Sequence, residues 1–357
     1  MRRNIMRLEF IDKVKDNEVL GKSILSSDGQ MLLRTGIKLT NNYLSKLKDM
    51  GVIYIYVEDE RLEDINVEDE RLIELKQRTI KSVADISKNI HGYSGKKFKK
   101  AISSIENLVD YIIDIGDVNK SLYDIKTHDN YTYLHSLDTC VMTSFLGISL
   151  GFKEDELKDL GIGASLHDIG KTQIPLKILN KKGKLNDEEF AEIKNHTLYG
   201  GKLLRNNKQI SENVIDIVEQ HHERIDGKGY PYKLHGDEIS KYAKVVSLCD
   251  VYDAVSSDRC YRRKFSPNDA YELILGNSET MFDIEVVEKF KETFSIYPLG
   301  ACVKLSNGVE GYVIHQNRGF PDRPLIRVLY DSNTREPVQF YEIDLLKHKN
   351  LVIKTIV

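Results

Sequence analysis

The sequence predicts a mostly α-helical protein, in which a central all-helical domain is flanked by a small N-terminal α+β domain and a small β-rich C-terminal domain. Two observations carry this. Between about residues 98 and 294, apolar side chains recur every three or four positions with little strand alternation. On either side, the apolar runs are short and interrupted by turn residues. The expected boundaries are 1–58 for the α+β domain, 59–100 for a connecting helix or linker, 101–296 for the helical domain and 297–357 for the β-rich domain.

In the first segment Asp28-Gly29 lies between Ser23-Ile24-Leu25 and Met31-Leu32-Leu33, which is a hairpin signal. Leu39, Tyr43, Leu44 and Leu47 then mark a helix over 39–50, with Gly51 as its C-cap, and Val52 to Val57 reads as a strand. The charge-rich stretch from Glu58 to Lys100 reads as an exposed connector, and Lys96, Lys97, Lys99 and Lys100 as a solvated face. Helices are expected at 101–115, 133–151, 154–167, 187–205, 212–222, 239–256, 267–275 and 284–293. Ser266 and Pro267 supply the N-cap and first position of the seventh. Strands are expected at 302–305, 311–314, 325–330 and 351–353, with Asn307-Gly308 turning between the first two. They suit a small barrel or curled sheet.

With 357 residues the chain has room for two or three cores. Its 52 basic and 55 acidic residues leave a net charge of −3, which argues against a dedicated nucleic-acid binder. Met1 to Phe10 lacks a signal-peptide apolar run, and no uncharged stretch is long enough to span a bilayer. A cytoplasmic location without membrane contact is therefore expected by elimination. The four cysteines (140, 249, 260 and 302) are scattered without C-x-x-C spacing, so they read as buried reduced thiols.

Five of the ten histidines, His135, His167, His196, His221 and His222, fall in the helical domain. The other five sit in polar or turn-like contexts and read as surface residues. His167-Asp168 and His221-His222 are adjacent pairs at helix ends. On a 3.6-residue period Asp250 shares the apolar stripe of Ile239, Ala243, Val246 and Asp253. His135 shares a stripe with Thr139, Met142 and Leu146, and Asp168 follows Leu157, Leu160 and Ala164. An isolated inward His or Asp is commonly a hydrogen-bonded core residue. Five His and two Asp on consecutive helices are better explained by a metal centre, because burying each carboxylate unpaired costs several kcal/mol. Histidine and carboxylate without cysteine suit zinc, iron, manganese or nickel. With two such metals bridged by Asp168, the chemistry implied is water activation for phosphoester hydrolysis.

His167-Asp168-Ile169-Gly170-Lys171, together with His222-Glu223-Arg224-Ile225-Asp226-Gly227-Lys228-Gly229-Tyr230-Pro231, resembles an HD-GYP domain of the HD superfamily of metal-dependent phosphohydrolases. The segments Asn195-His196-Thr197-x-x-Gly200 and Asp250-x-x-Asp253-Ala254-x-x-Ser257-x-Arg259-x-Tyr261-Arg262 match as well, and the similarity covers about 195 residues. The resemblance implies hydrolysis of cyclic di-GMP to pGpG and often to GMP. It implies one metal held by His135, His167, Asp168 and Asp250, and a second held by Asp168, His196, His221 and His222. Lys171 would face a phosphate, and Arg259 and Arg262 would grip the nucleotide. The Gly229-Tyr230-Pro231 loop would meet GGDEF-domain proteins. Some members bind a third metal through a Glu one turn before the first His; here that position is Tyr131, so two divalent ions are expected, iron or manganese first, then zinc or nickel. The N-terminal part resembles a short domain often found ahead of HD-GYP modules. Alternatives are a phosphodiesterase for cyclic GMP–AMP or linear dinucleotides, a non-catalytic cyclic-dinucleotide sensor and an interaction scaffold. A homodimer stays open.

Overall fold

The computed structural model describes residues 6–25, 31–50, 52, 54–59, 62, 70–89, 95–116, 120–121, 132–181, 183–256, 267–332, 334 and 336–357. The chain divides into two compact units. One comprises Met1–Glu70, Asn119–Asp129 and Lys291–Val357; the other, Arg71–Val118 and Asn130–Phe290.

The first unit joins the two ends of the chain. Strand β1 (Met6–Phe10) pairs antiparallel with β4 (Tyr54–Glu58), and β2 (Ile24–Leu25) with β3 (Met31–Leu33), the two arms of the expected hairpin, whose Asp28-Gly29 turn lies outside the described residues. Between them α1 (Asn41–Asp49) starts at Thr40, whose side chain accepts from the Tyr43 amide, and buries Leu44 and Leu47 against Leu20, Leu39 and Val57. Gly51 lies outside the described residues, and Met50 occupies the C-cap. A short parallel pair, β5 (Lys120–Ser121) with β6 (Phe294–Ser295), was not legible in the sequence.

The C-terminal strands β7 (Cys302–Leu305), β8 (Glu310–His315), β9 (Leu325–Tyr330), β10 (Pro337–Asp344) and β11 (Ile353–Ile356) form one antiparallel sheet in the order β10-β9-β8-β7-β11. Leu305 N–H donates to Val309 across the Asn307-Gly308 turn at 2.8 Å. Strand β10 escaped the sequence reading because Val338, Phe340 and Tyr341 are exposed, so no alternation between core and solvent marks it. Leu8 N–H donates to the Gly300 carbonyl at 2.9 Å, which lays β1 beside the segment leading into β7.

The second unit is helical. It contains α2 (Glu70–Asn89, from Arg71 on), α3 (Gly95–Ile115), α4 (Thr132–Ser149), α5 (Glu154–Leu166), the short α6 (Leu176–Leu179), α7 (Asp187–Lys194), α8 (His196–Arg205), α9 (Glu212–Gln220), α10 (Lys241–Ser256), α11 (Pro267–Gly276) and most of α12 (Ile284–Thr293). Helix α4 packs against α5 and α10, and α5 against α3 and α9. Their facing side chains, among them Leu137, Val141, Leu160, Ala164, Ile217 and Val246, are fully buried. Helix α10 is the centre, with ten of its sixteen residues buried. A helix buried nearly all round loses the one-sided stripe that marks a surface helix.

Two expectations change. Helix α2 is not an exposed connector: Leu75, Lys76, Thr79, Ile80, Val83 and Ile86 are buried, Thr79 donates to Ser104 in α3, and Lys76 lies 3.9 Å from Asp138 in α4. Apart from Lys76 its buried face is apolar or neutral, which the overall charge density concealed. The helix expected over 187–205 breaks at Asn195, so that His196 begins α8. The break lets the turn after α5 press against α8: a Cβ on Gly170 would fall 1.8 Å from the His196 carbonyl. The lysine face at 96–100 is exposed, as expected. Cys140, Cys249 and Cys302 are buried free thiols, whereas Cys260 and Ser266 lie outside the described residues. Among the described residues, no helix is long and apolar enough to cross a membrane.

Candidate metal centre

Five helices and one 3₁₀ turn deliver the inward histidines and aspartates to one place. His135 comes from the first turn of α4, His167 caps the C-terminus of α5, and Asp168 opens the 3₁₀ turn Ile169–Gln173. His196 is the first residue of α8, His221 caps α9 and is followed by His222, and Asp250 lies in mid-α10. Neighbouring imidazole centroids are 5.0–5.4 Å apart along the series His135, His167, His221, His196 and His222, and those of His221 and His222 are 4.2 Å apart.

The local hydrogen bonds fix the tautomers. Nδ1–H of His167, His196 and His221 donates to the carbonyl three residues earlier (Ala164, Ile193 and Val218) at 2.7, 2.7 and 3.0 Å. A carbonyl can only accept, so each Nε2 carries a lone pair and faces inward. His196 Nε2 lies 3.3 Å from His221 Nε2 and 3.5 Å from Asp168 Oδ1, and His167 Nε2 lies 3.5 Å from Asp168 Oδ2 and 3.7 Å from Asp250 Oδ1. These are acceptors facing acceptors. His167 Nε2 and Asp168 Oδ1 are buried without any hydrogen-bond partner. Such an arrangement is repulsive by itself and is relieved by cations among the lone pairs, so these residues fit divalent metals. Ligand atoms lie within 4.8 Å of one another in three triads: His135, His167 and Asp250; His167, Asp168 and His221; and His196, His221 and His222.

Electrostatics favour the ligating forms. Burial, with like charge from neighbouring rings, holds His221 well below its usual pKa. Burial also lowers His196, and lowers His222 to about 4. Burial opposes ionisation of Asp168 and Asp250, but the Lys171 ammonium beside the first and the His135 hydrogen bond to the second outweigh it and hold both carboxyls well below the usual range. His135 differs. Burial disfavours its charge, yet hydrogen bonds from Nε2 to Asp250 at 2.9 Å and from Nδ1 to Asp253 at 2.6 Å raise it to about 10.

Asp253 is the residue that sequence reasoning missed. Its place three positions after Asp250 put it on the same stripe, which was the available signal. It orients His135 as the carboxylate behind a metal-ligating imidazole does. Lys171 Nζ lies 2.6 Å from Asp168 Oδ2. Arg259, Arg262 and Tyr131 lie outside the described residues.

The loop after α9 closes on the centre. Glu223 is buried, and its carboxylate accepts from the amides of Tyr232, Lys233 and Leu234 at 2.6, 3.0 and 3.1 Å. A Cβ on Gly229 would fall 2.5 Å from Glu223 Cα, so only glycine permits this approach. The Tyr230 ring stacks on His222 at 4.7 Å, and its amide donates to the His222 carbonyl. Gly229 is buried and Tyr230 and Pro231 partly so, leaving Lys228, Tyr232, Lys233 and His235 as the exposed residues of the loop.

A family model described as an HD domain matches residues 135–286, the span that contains every one of these ligand candidates. Residues 135–286 form an HD domain by this match. A second model, a KOW domain associated with HD domains, matches residues 302–357, the five-stranded sheet. The chain is 37% identical over 225 residues to a cyclic di-GMP phosphodiesterase of Pseudomonas aeruginosa, covering 63% of this chain and 54% of that protein. It is 28% identical over 190 residues to a 3'3'-cGAMP-specific phosphodiesterase of Vibrio cholerae, covering 52% of this chain and 36% of that protein. The HD-GYP-type protein Bd1817 of Bdellovibrio bacteriovorus shares the fold, with a TM-score of 0.54 at 17% identity over 80% of this chain and 98% of that one. The chain spans about half the length of the first of these curated relatives and about a third of the second.

Proposed function

We propose that this HD domain hydrolyses cyclic di-GMP to pGpG, GMP or both, using two divalent metals. The reading rests on the Nε2 lone pairs of His167, His196 and His221, which face one another and the carboxylates of Asp168 and Asp250, acceptor against acceptor. His135, His167, Asp168 and Asp250 would hold one ion, and Asp168, His196, His221 and His222 the other, with iron or manganese preferred over zinc or nickel. Bound there, the metals supply Lewis acidity and lower the pKa of water from about 16 to about 7. The chain's own residues do the rest. Asp253 fixes the His135 ring, and the depressed histidines stay neutral at pH 7. Lys171 places a positive charge beside Asp168, where it offsets charge developing on an attacked phosphodiester. Arg259 and Arg262 are assigned to the nucleotide on the motif alone.

The similarity to relatives named for cyclic di-GMP supports that substrate, and the relative named for cyclic GMP–AMP supplies the second reading. The test is elemental analysis of protein purified without oxygen, paired with product analysis on cyclic di-GMP, cyclic GMP–AMP and pGpG in competition. Two metals per chain and preferential loss of cyclic di-GMP are expected. Binding without product in the metal-replete, reduced protein would replace the enzyme by a sensor.

A further inference from the structure

Helix α7 ends at Lys194, two residues before His196, and this lysine differs from its neighbours in sequence. Lys171 is held by Asp168 and Lys181 by Glu189. The Lys194 ammonium instead lies over two ring faces, 4.6 Å from the Phe190 centroid and 5.5 Å from that of Tyr230. Among the described residues, no carboxylate lies within ion-pair distance of it and no acceptor atom takes its N–H groups. Ring faces stabilise the charge but leave three N–H donors for something else. Tyr230 in turn stacks on His222, so Lys194 stands one ring away from the metal candidates. One helical turn earlier, Phe190 is 48% exposed, an aromatic face turned to solvent beside a cation.

We propose that Lys194 and Phe190 form a distal subsite of the same active site. When one phosphodiester of a cyclic dinucleotide lies at the His/Asp cluster, Lys194 takes the second, uncleaved phosphodiester, and the exposed face of Phe190 stacks the adjoining purine. The inference rests on the proposed phosphodiesterase function and extends it to substrate grip. A cyclic dinucleotide presents two anions and two flat bases, and a cation framed by aromatic rings matches one half of it. A small diester that fills only the metal cluster gains nothing from this subsite.

The test compares the parent with Lys194→Met, Lys194→Arg and Phe190→Ala, on cyclic di-GMP and on bis(p-nitrophenyl) phosphate, with metal content measured for each. Lys194→Met keeps the apolar stem but loses the charge, and should raise KM for cyclic di-GMP by roughly 10- to 150-fold. Phe190→Ala should raise it by roughly tenfold. For both variants, the loss of kcat/KM on the small diester should be at least tenfold smaller than on cyclic di-GMP, and Lys194→Arg should recover most of the affinity. Equal losses on the two substrates, or loss of metal, would assign these residues to the architecture of the site and overturn the subsite. Unchanged KM for cyclic di-GMP would overturn it too. A parent that cleaves the small diester but neither binds nor cleaves any cyclic dinucleotide refutes the functional reading and the subsite with it. A parent that cleaves cyclic di-GMP beside unaffected variants refutes only the subsite.

Discussion

Replacing Glu223 by Ala should open the loop that carries Tyr230 without unfolding the domain. The carboxylate is 2% exposed; Oε1 accepts from the Tyr232 and Lys233 amides, and Oε2 from that of Leu234. A hydrogen bond to a charged group contributes about 1.5–3 kcal/mol net. Tyr232 and Lys233 are exposed, so water can satisfy their amides in the variant, whereas the less exposed Leu234 amide bears more of the loss. The opening free energy of the loop should therefore fall by about 2–4 kcal/mol, less than three independent bonds would give. At about 1.4 kcal/mol per factor of ten, this predicts roughly 30- to 1,000-fold faster amide exchange over residues 228–236. Glu223→Gln keeps one oxygen for Tyr232 and Lys233 but turns an amino donor toward the Leu234 N–H, so its effect should centre on that amide. Hydrogen–deuterium exchange read by mass spectrometry on both variants resolves this. Exchange in Glu223→Ala within threefold of the parent would refute the clamp, and acceleration throughout the helical unit would show a loss of global stability instead.

Asp168→Ala should abolish turnover while leaving normal circular dichroism, since it removes the carboxylate facing His167, His196 and Lys171; near-normal hydrolysis with two metals still bound would overturn its bridging role. Asp253→Ala should weaken metal affinity by about 10- to 100-fold in chelator competition, with Asp253→Asn falling between, because it removes the 2.6 Å partner that orients His135. In the metal-free protein, the lowered pKa of His222 contributes stability above its ordinary 6.5, and this is lost as pH falls toward about 4, since the unfolded chain takes the proton first. The contribution is about 3 kcal/mol, so the thermal midpoint of the metal-free parent should drop by several degrees more than that of His222→Asn between pH 7 and pH 4.5; parallel curves would contradict it.

Much of this protein was written in its residue spacing. The 3.6-residue period located the central helices, and the adjacent pairs His167-Asp168 and His221-His222 sit at helix ends, where a side chain can point off the helix axis. The three-residue spacing of Asp250 and Asp253 placed them on one face of a helix before any packing was known. Spacing along one helix does not say what stands opposite it. Only the packing of α4 against α10 made Asp253 the partner of His135, and only the carbonyls of Ala164, Ile193 and Val218 fixed which imidazole nitrogen faces inward. The break at Asn195 was invisible because both halves keep helical periodicity; it accompanies the backbone approach of Gly170 to α8, a contact the sequence pattern does not show. Charge density misjudged α2, since a helix can be highly charged and still bury one complete face. Local pattern determines which side chains an element turns inward, because that follows from backbone geometry. What those side chains meet depends on long-range packing, and it is there that separate histidines and aspartates become one centre.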